Sequence, residues 1–274
     1  MKRDEIEFVA EVARAAAGLS IDGEPPYVLE TRLGPVARRE GFGSIREMLV
    51  AARQRREEKL LWAVVEALAV GETSFFRGMA VFRRLAEEML PAAAATGRAG
   101  RPLRVLSAGC GSGQETYSIA MAVDEWGPAE LGPRLELTGA DLSHRALEKA
   151  RSGLYTQFEV QRGLPIRSLL RHFEKREEMW AVGGRLKATT RWRRQNLLGD
   201  LKPLGRFDVV FCRHVLDGMD PAARERALAQ LIGVLGEGGH LVLGEDEAAA
   251  GTAGALQRLG DGVYRRRGGA RAAA

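Results

Sequence analysis

The chain has 274 residues, 45% of them hydrophobic, with 41 Lys and Arg against 36 Asp and Glu for a formal net charge of +5. That supplies a sizeable core and excludes a disordered, collagen-like or coiled-coil polypeptide. Two cysteines, Cys110 and Cys212, and four scattered histidines, His144, His172, His214 and His240, exclude a disulfide scaffold and show no zinc-ligand spacing.

The start, MKRDEIEF, carries no apolar leader segment, and no run of about 18 apolar residues occurs, so a cytoplasmic protein without membrane insertion is expected. The small positive excess is interleaved with Glu and favours an acidic partner over nucleic acid.

Ile6, Val9, Ala10, Ala13 and Ala17 recur at three- and four-residue spacing, predicting a helix over 6–17 closed by Gly18. After the turn-like Asp22-Gly23-Glu24-Pro25-Pro26, helices are expected over 27–40, 44–56 and 58–68, with Gly41 and Gly43 between the first two. Residues 1–70 thus read as a basic all-helical domain. Its Arg-rich faces, with Arg53, Arg55 and Arg56 among them, suit an acidic helix. A helix over 81–90 follows, then 92–100, whose Ala, Thr and Gly content reads as a surface connection.

From residue 101 the pattern changes. Short apolar runs over 105–108, 135–140, 209–211 and 241–243, bounded by Gly or Asp, alternate with helical stretches. Such alternation predicts an α/β fold over 71–274, with a parallel sheet covered on both faces. The stretch 179–194 interrupts it, with Trp180, Val182, Leu186, Thr189, Thr190 and Trp192 around Gly183-Gly184, and reads as a small antiparallel insert.

The chemistry concentrates at 103–120, where an apolar strand enters Gly109-Cys110-Gly111-Ser112-Gly113 and a helix begins near Gln114. Glycines let backbone approach a ligand closely, and a helix N-terminus offers unpaired N–H groups to its oxygen atoms. The spacing G-x-G-x-G lacks the third glycine of the dinucleotide fingerprint, and no Lys-Ser or Lys-Thr follows as in a phosphate-binding loop. The next strand ends in Asp141, a carboxylate placed to take ribose hydroxyls. An adenosyl group without a pyrophosphate fits these features. The plainer alternative is a tight turn, with Asp141 only a cap before Ser143.

The order of this loop, Asp141, Phe207-Asp208-Val209-Val210-Phe211 and Leu235-Gly236-Glu237-Gly238-Gly239 resembles S-adenosylmethionine-dependent methyltransferases. The resemblance narrows at Gly71-Glu72-Thr73-Ser74-Phe75-Phe76-Arg77, at Ser107-Ala108-Gly109-Cys110 through Tyr117-Ser118-Ile119-Ala120-Met121, and at Phe211-Cys212-Arg213. There the chain is similar to the chemotaxis-receptor methyltransferase family, CheR, over nearly its whole length. The resemblance implies a Rossmann-like methyltransferase domain with a small antiparallel insert behind a helical N-terminal domain. It also implies S-adenosylmethionine as cofactor, S-adenosylhomocysteine as product, and a monomeric enzyme that O-methylates glutamate side chains on the cytoplasmic methylation helices of chemoreceptors.

Carried onto this sequence, the family's cofactor contacts fall on Thr73, Arg77, Glu115, Asp141, Asn196, Leu197 and Arg213, with Gly109, Gly111 and His214 beside them. Asp141 would hold the ribose, Asn196 and Leu197 would lie by the adenine, and Glu115 would oppose the cofactor's positive charge. Arg77, the expected catalytic residue, would pair with the methionine carboxylate or steer the incoming glutamate.

The chain departs from the family pattern in three places. Gly71 replaces an Asn. His214-Val215-Leu216-Asp217-Gly218-Met219 stands where the family has Asn-Val, a variable residue and Ile-Tyr-Phe. Glu245-Asp246-Glu247 stands for His-Ser-Glu, adding negative charge. His214 either keeps a hydrogen bond made by Asn or serves as a general base. The departures leave two alternatives: a different methyl acceptor, or a protein that binds cofactor or receptor without efficient catalysis.

Overall fold

A computed structural model describes residues 1–55, 57–69, 71–96 and 100–268. They form two compact units. The first is Met1–Gly71 together with Val215–Ala227, and the second is Glu72–His214 with Leu228–Ala274.

The first unit is built on four helices, α1 (Arg3–Ala17), α2 (Pro26–Arg39), α3 (Ile45–Arg55) and α4 (Glu58–Ala69). Each buries one aliphatic stripe: Val9, Ala13 and Ala17 on α1, Leu29 and Leu33 on α2, Met48 and Leu49 on α3, Leu60 and Val64 on α4. The segment 215–227 belongs here, which extends the expected first domain beyond residues 1–70. Leu19 pairs with Met219 in an antiparallel bridge, the Ser20 N–H donates to the Gly218 carbonyl, and the Asp220 N–H donates to the Gly18 carbonyl. Helix α12 (Pro221–Gly233) begins in this unit and ends in the second.

Of the three arginines expected to meet an acidic helix, Arg53 lies over the Phe8 ring and donates to the Asp4 carbonyl. Arg55 is exposed, and Arg56 lies outside the described residues.

The second unit opens with α5 (Met79–Arg84), a π-helical turn (Leu85–Met89) and α6 (Leu90–Thr96). Helix thus continues to Thr96 where a surface connection is expected from 92. Alanine is the strongest helix former, Pro91 falls in the first turn of α6, where proline is tolerated, and no further glycine or proline intervenes before Gly97.

Strand β1 (Leu103–Ala108) then enters a seven-stranded sheet. It pairs in parallel with β2 (Leu135–Asp141), Leu103 opposite Leu135 and Ala108 opposite Ala140, and on its other side with β7 (Phe207–Phe211). The sheet order is β6-β2-β1-β7-β8-β10-β9, with β6 (Thr190–Arg194), β8 (Leu235–Val242), β9 (Leu256–Gly260) and β10 (Val263–Arg266). It is parallel through β8, and its last two strands run antiparallel. Helix α7 (Gln114–Trp126), buried almost continuously to Val123, and α8 (His144–Ser152) follow β1 and β2. Strand order reverses at β1, so the loop after it opens at the carboxyl edge of the sheet, where such folds place ligands.

The antiparallel insert exists, but 154–182 holds it rather than 179–194. Its three strands are β3 (Leu154–Thr156), β4 (Phe173–Arg176) and β5 (Met179–Val182), in the order β3-β5-β4. Helices α9 (Gln157–Gln161) and α10 (Ile166–His172) connect β3 to β4. Gly183-Gly184 does not turn a hairpin. It starts the short helix α11 (Gly184–Ala188), and Thr190–Arg194 leaves to pair with β2 in the large sheet. Alternation marked both segments as strands, but only long-range pairing decides which sheet each joins.

Ser168 Oγ and His172 Nε2, on α10, contact the two oxygens of Glu125 at 3.1 and 2.9 Å, and Arg171 donates to Asp124 at 2.7 Å. These contacts fix the insert to the end of α7.

Candidate cofactor and methyl-transfer site

The loop after β1 is set by its own backbone. Gly109, Gly111 and Gly113 have φ of 71°, 53° and 95°, and the N–H groups of Gly109 and Cys110 donate to the Ala140 carbonyl at 2.8 and 3.0 Å. At Gly113 the requirement is steric as well. A Cβ there would lie 2.9 Å from both the Ala150 Cβ and the Trp192 ring. Trp192 is therefore a packing residue of the large sheet, seated against Tyr117 with ring centroids 5.5 Å apart. Trp180 stays in the insert, its Nε1–H donating to Gln157 at 2.7 Å.

Asp141 joins two turns. One oxygen accepts the Gly111 N–H at 2.8 Å and the other the Ser143 N–H at 2.8 Å. The cap of α8 is Ser143, whose Oγ accepts the Ala146 N–H at 3.2 Å, so Asp141 does not cap the helix but joins its own turn to the glycine loop through one carboxylate. Gln195 donates its N–H to the Asp141 carbonyl at 2.9 Å, setting Asn196 and the buried Leu197 just beyond. Asn196 Oδ1 accepts the Leu198 N–H at 3.0 Å.

Glu115, in the first turn of α7, is largely enclosed, and burial pushes its carboxyl above the usual range while Arg213 and Ser107 oppose the shift. Ser107 Oγ donates to one oxygen at 2.9 Å, and Arg213 Nη1 lies 3.4 Å from the other. The same Arg213 nitrogen donates to the Arg77 carbonyl at 2.7 Å. A chain of contacts thus runs from β1 through α7 and the end of β7 to the 72–78 loop.

That loop is held by side chains. Phe75 and Phe76 are buried, Phe75 edge-on to Tyr155 and Phe173, and Phe76 sits at φ 46° with its N–H donating to Ser118 Oγ at 2.9 Å. Arg162 pairs with Glu72 at 2.9 Å. The Gly163 α-carbon presses on the loop so closely that a Cβ would lie 2.1 Å from the Phe75 carbonyl oxygen. The Thr73 methyl faces Gly111, 3.5 Å from where a Cβ would stand. Arg77 is exposed, and its Nη1 donates to the Glu72 carbonyl at 3.1 Å.

The structure therefore brings Thr73, Gly109, Gly111, Glu115, Asp141, Asn196, Leu197 and Arg213 around one loop, with Arg77 at its rim. His214 follows at φ 58°, exposed, and its N–H donates to Glu247 Oε2 at 2.8 Å. Gly218 and Met219 lie in the first unit, paired with the turn after α1. Of the three acids at 245–247, Glu245 and Asp246 are exposed while Glu247 is buried.

Cys110 and Cys212 are buried, and desolvation drives both thiols well above their usual range, so neither is a ready nucleophile. Sequence reasoning missed Ser107, Gly163 and the inward turn of Glu247. Ser107 alone had a local signal, a polar side chain closing the apolar run Val105-Leu106 just before the glycine loop.

A glycine loop at a strand-order reversal, a carboxylate closing the next strand and the largely enclosed Glu115 carboxyl paired with Arg213 fit an adenosyl cofactor that carries positive charge. Residues 71–262 match the family model described as CheR methyltransferase, SAM binding domain, and the chain belongs to that family. S-adenosylmethionine is its cofactor.

The chain is 34% identical over 235 residues to Chemotaxis protein methyltransferase 1 of Pseudomonas aeruginosa, covering 84% of this chain and 85% of that one. It is 32% identical over 237 residues to Chemotaxis protein methyltransferase of Vibrio parahaemolyticus, covering 85% of each. It is also 32% identical over 240 residues to Chemotaxis protein methyltransferase Cher2 of Pseudomonas putida, covering 86% and 87%. No described helix is long and apolar enough to cross a membrane.

Proposed function

We propose that this chain O-methylates glutamate side chains on the cytoplasmic methylation helices of chemoreceptors. The observation that carries the reading is the linked set Ser107–Glu115–Arg213–Arg77, which ties the glycine loop to the loop of the expected catalytic residue. When bound, S-adenosylmethionine supplies an electrophilic methyl group on a sulfonium.

Asp141 would accept ribose hydroxyls, Asn196 and Leu197 would flank the adenine, and Thr73 would close over Gly111. Glu115 stabilises positive charge from a buried position, where screening is weak. A glutamate near its ordinary pKa of about 4.3 is ionised at neutral pH and attacks without a general base. The protein's work is then alignment, and Arg77, exposed at the rim, offers a planar fork to a carboxylate. The basic helical unit would meet the receptor helix.

The test is titration with S-adenosylmethionine and S-adenosylhomocysteine, followed by labelled methyl transfer to a receptor cytoplasmic fragment. Micromolar binding, about −8 kcal/mol, with label released by mild base as from a methyl ester, supports the reading. Base-stable label would assign another acceptor. Binding without turnover on any receptor fragment would leave a binding protein.

A further inference from the structure

The loops that leave β7 and β8 meet at a buried carboxylate that the reading above does not use. Glu247 is 3% exposed. Its Oε2 accepts the His214 N–H at 2.8 Å and the Gly244 N–H at 2.7 Å, and its own N–H donates to the Gly244 carbonyl at 3.1 Å. Charge-assisted bonds from two amides are what allow a carboxylate to stay in such a place. The packing is tight, for a Cβ on Gly244 would lie 2.9 Å from Glu247 Oε2 and 3.0 Å from His214 Nδ1. The residue before His214 is Arg213, whose guanidinium holds the Arg77 carbonyl and Glu115. On its other side Arg213 nearly touches the turn at Gly78, where a Cβ would lie 2.8 Å from Nη2.

We propose that Glu247 is a positioning residue for methyl transfer. By holding the His214 and Gly244 amides on one oxygen it fixes the backbone at Arg213 and, through that guanidinium, the loop bearing Arg77. The inference rests on the reading that Arg77 borders the reacting groups. The clamp is separable from the sheet. The β7–β8 ladder places Phe211 opposite Val242, and the Cys212 N–H donates to the Val242 carbonyl at 2.8 Å, so both strands remain paired without Glu247. Loss of the clamp would shift Arg77 rather than dissolve the strands, and a shift near 1 Å at reacting groups costs on the order of a hundredfold in rate.

The experiment compares Glu247→Ala with Glu247→Gln, whose amide oxygen accepts the same two N–H groups. Amide hydrogen exchange at residues 76–78, 214 and 244, S-adenosylhomocysteine affinity, and kcat and KM on a receptor fragment are measured for each and for the wild-type chain. In Glu247→Ala, exchange should quicken at 214, 244 and 76–78, and kcat should fall about tenfold to a hundredfold. KM should stay within about threefold, S-adenosylhomocysteine affinity should fall by less than kcat does because Arg213 is among the expected cofactor contacts, and Glu247→Gln should restore both protection and kcat to within about threefold.

Unchanged exchange at 76–78 in Glu247→Ala overturns the clamp, and so does parallel loss of affinity, kcat and folded fraction, which marks a structural role only. Protected amides with no rescue of kcat in Glu247→Gln would assign the effect to charge and overturn positioning. A wild-type chain that does not esterify the receptor fragment would remove the functional reading, and the exchange data would still decide the clamp.

Discussion

Two loops border the same site and are held by opposite means. The loop at 109–113 keeps its shape through backbone conformation: three left-handed glycines and two N–H groups on the Ala140 carbonyl. The loop at 72–78 contains a buried phenylalanine at φ 46°, a conformation an aromatic residue avoids. It keeps that shape because Ser118, Arg213, Arg162 and Gly163 hold it. The first loop is a local property of its residues, and the second is a property of everything packed around it. Strain that persists only because neighbours impose it is common at functional sites.

The comparison breaks most visibly at Arg213. Arg213→Ala leaves Glu115 enclosed without its cation and should cost about 3–5 kcal/mol in urea unfolding at neutral pH. Because burial already raises the Glu115 carboxyl above 4.5, its contribution to stability is complete below that pH and lost as pH rises through the raised value. The deficit of Arg213→Ala should therefore narrow near pH 4.5. An equal deficit at both pH values would place the loss elsewhere.

Gly163→Ala comes next. It combines φ 88° with a Cβ driven into the Phe75 carbonyl, backbone against backbone, and about 2–4 kcal/mol of stability should be lost. A thermal midpoint within a degree of wild type would show that the insert yields there. Asp141→Ala removes the acceptor for the Gly111 and Ser143 amides, and S-adenosylhomocysteine affinity should drop by about 1–3 kcal/mol. Calorimetry showing no change would detach the first loop's shape from that carboxylate. Smallest of all, Arg162→Ala breaks a pair with Glu72, whose side chain is 82% exposed, and should cost under about 1 kcal/mol. A larger loss in chemical denaturation would show that the grip on 72–78 is concentrated at that edge.

Legibility in the sequence follows the same division. The glycine loop, Asp141 and the alternation of strands with helices are local patterns, and each was readable from spacing. The cofactor and family were readable because their motifs are short and contiguous. The insert's boundaries were not, since Met179–Val182 and Thr190–Arg194 look alike as sequence and differ only in distant partners: Leu154–Thr156 for one, Leu135–Asp141 for the other. Glu247 enters the sequence only as part of the acidic run at 245–247, because burial is not written in charge. Nothing local tells that one of three neighbouring carboxylates turns inward to meet two amides.

The return of Val215–Ala227 to the first unit bears on how the chain is made. Helices α1 to α4 leave the ribosome first, yet the bridge partner of Leu19 and the acceptor for the Ser20 amide lie at Met219 and Gly218. At roughly 5–20 residues per second, those partners arrive on the order of ten seconds later. In that interval the turn after α1 waits with its backbone groups exposed to water. The helical unit reaches its final hydrogen bonding only after most of the sheet has been synthesised, so a fragment ending at residue 71 is an incomplete version of the unit it seems to contain.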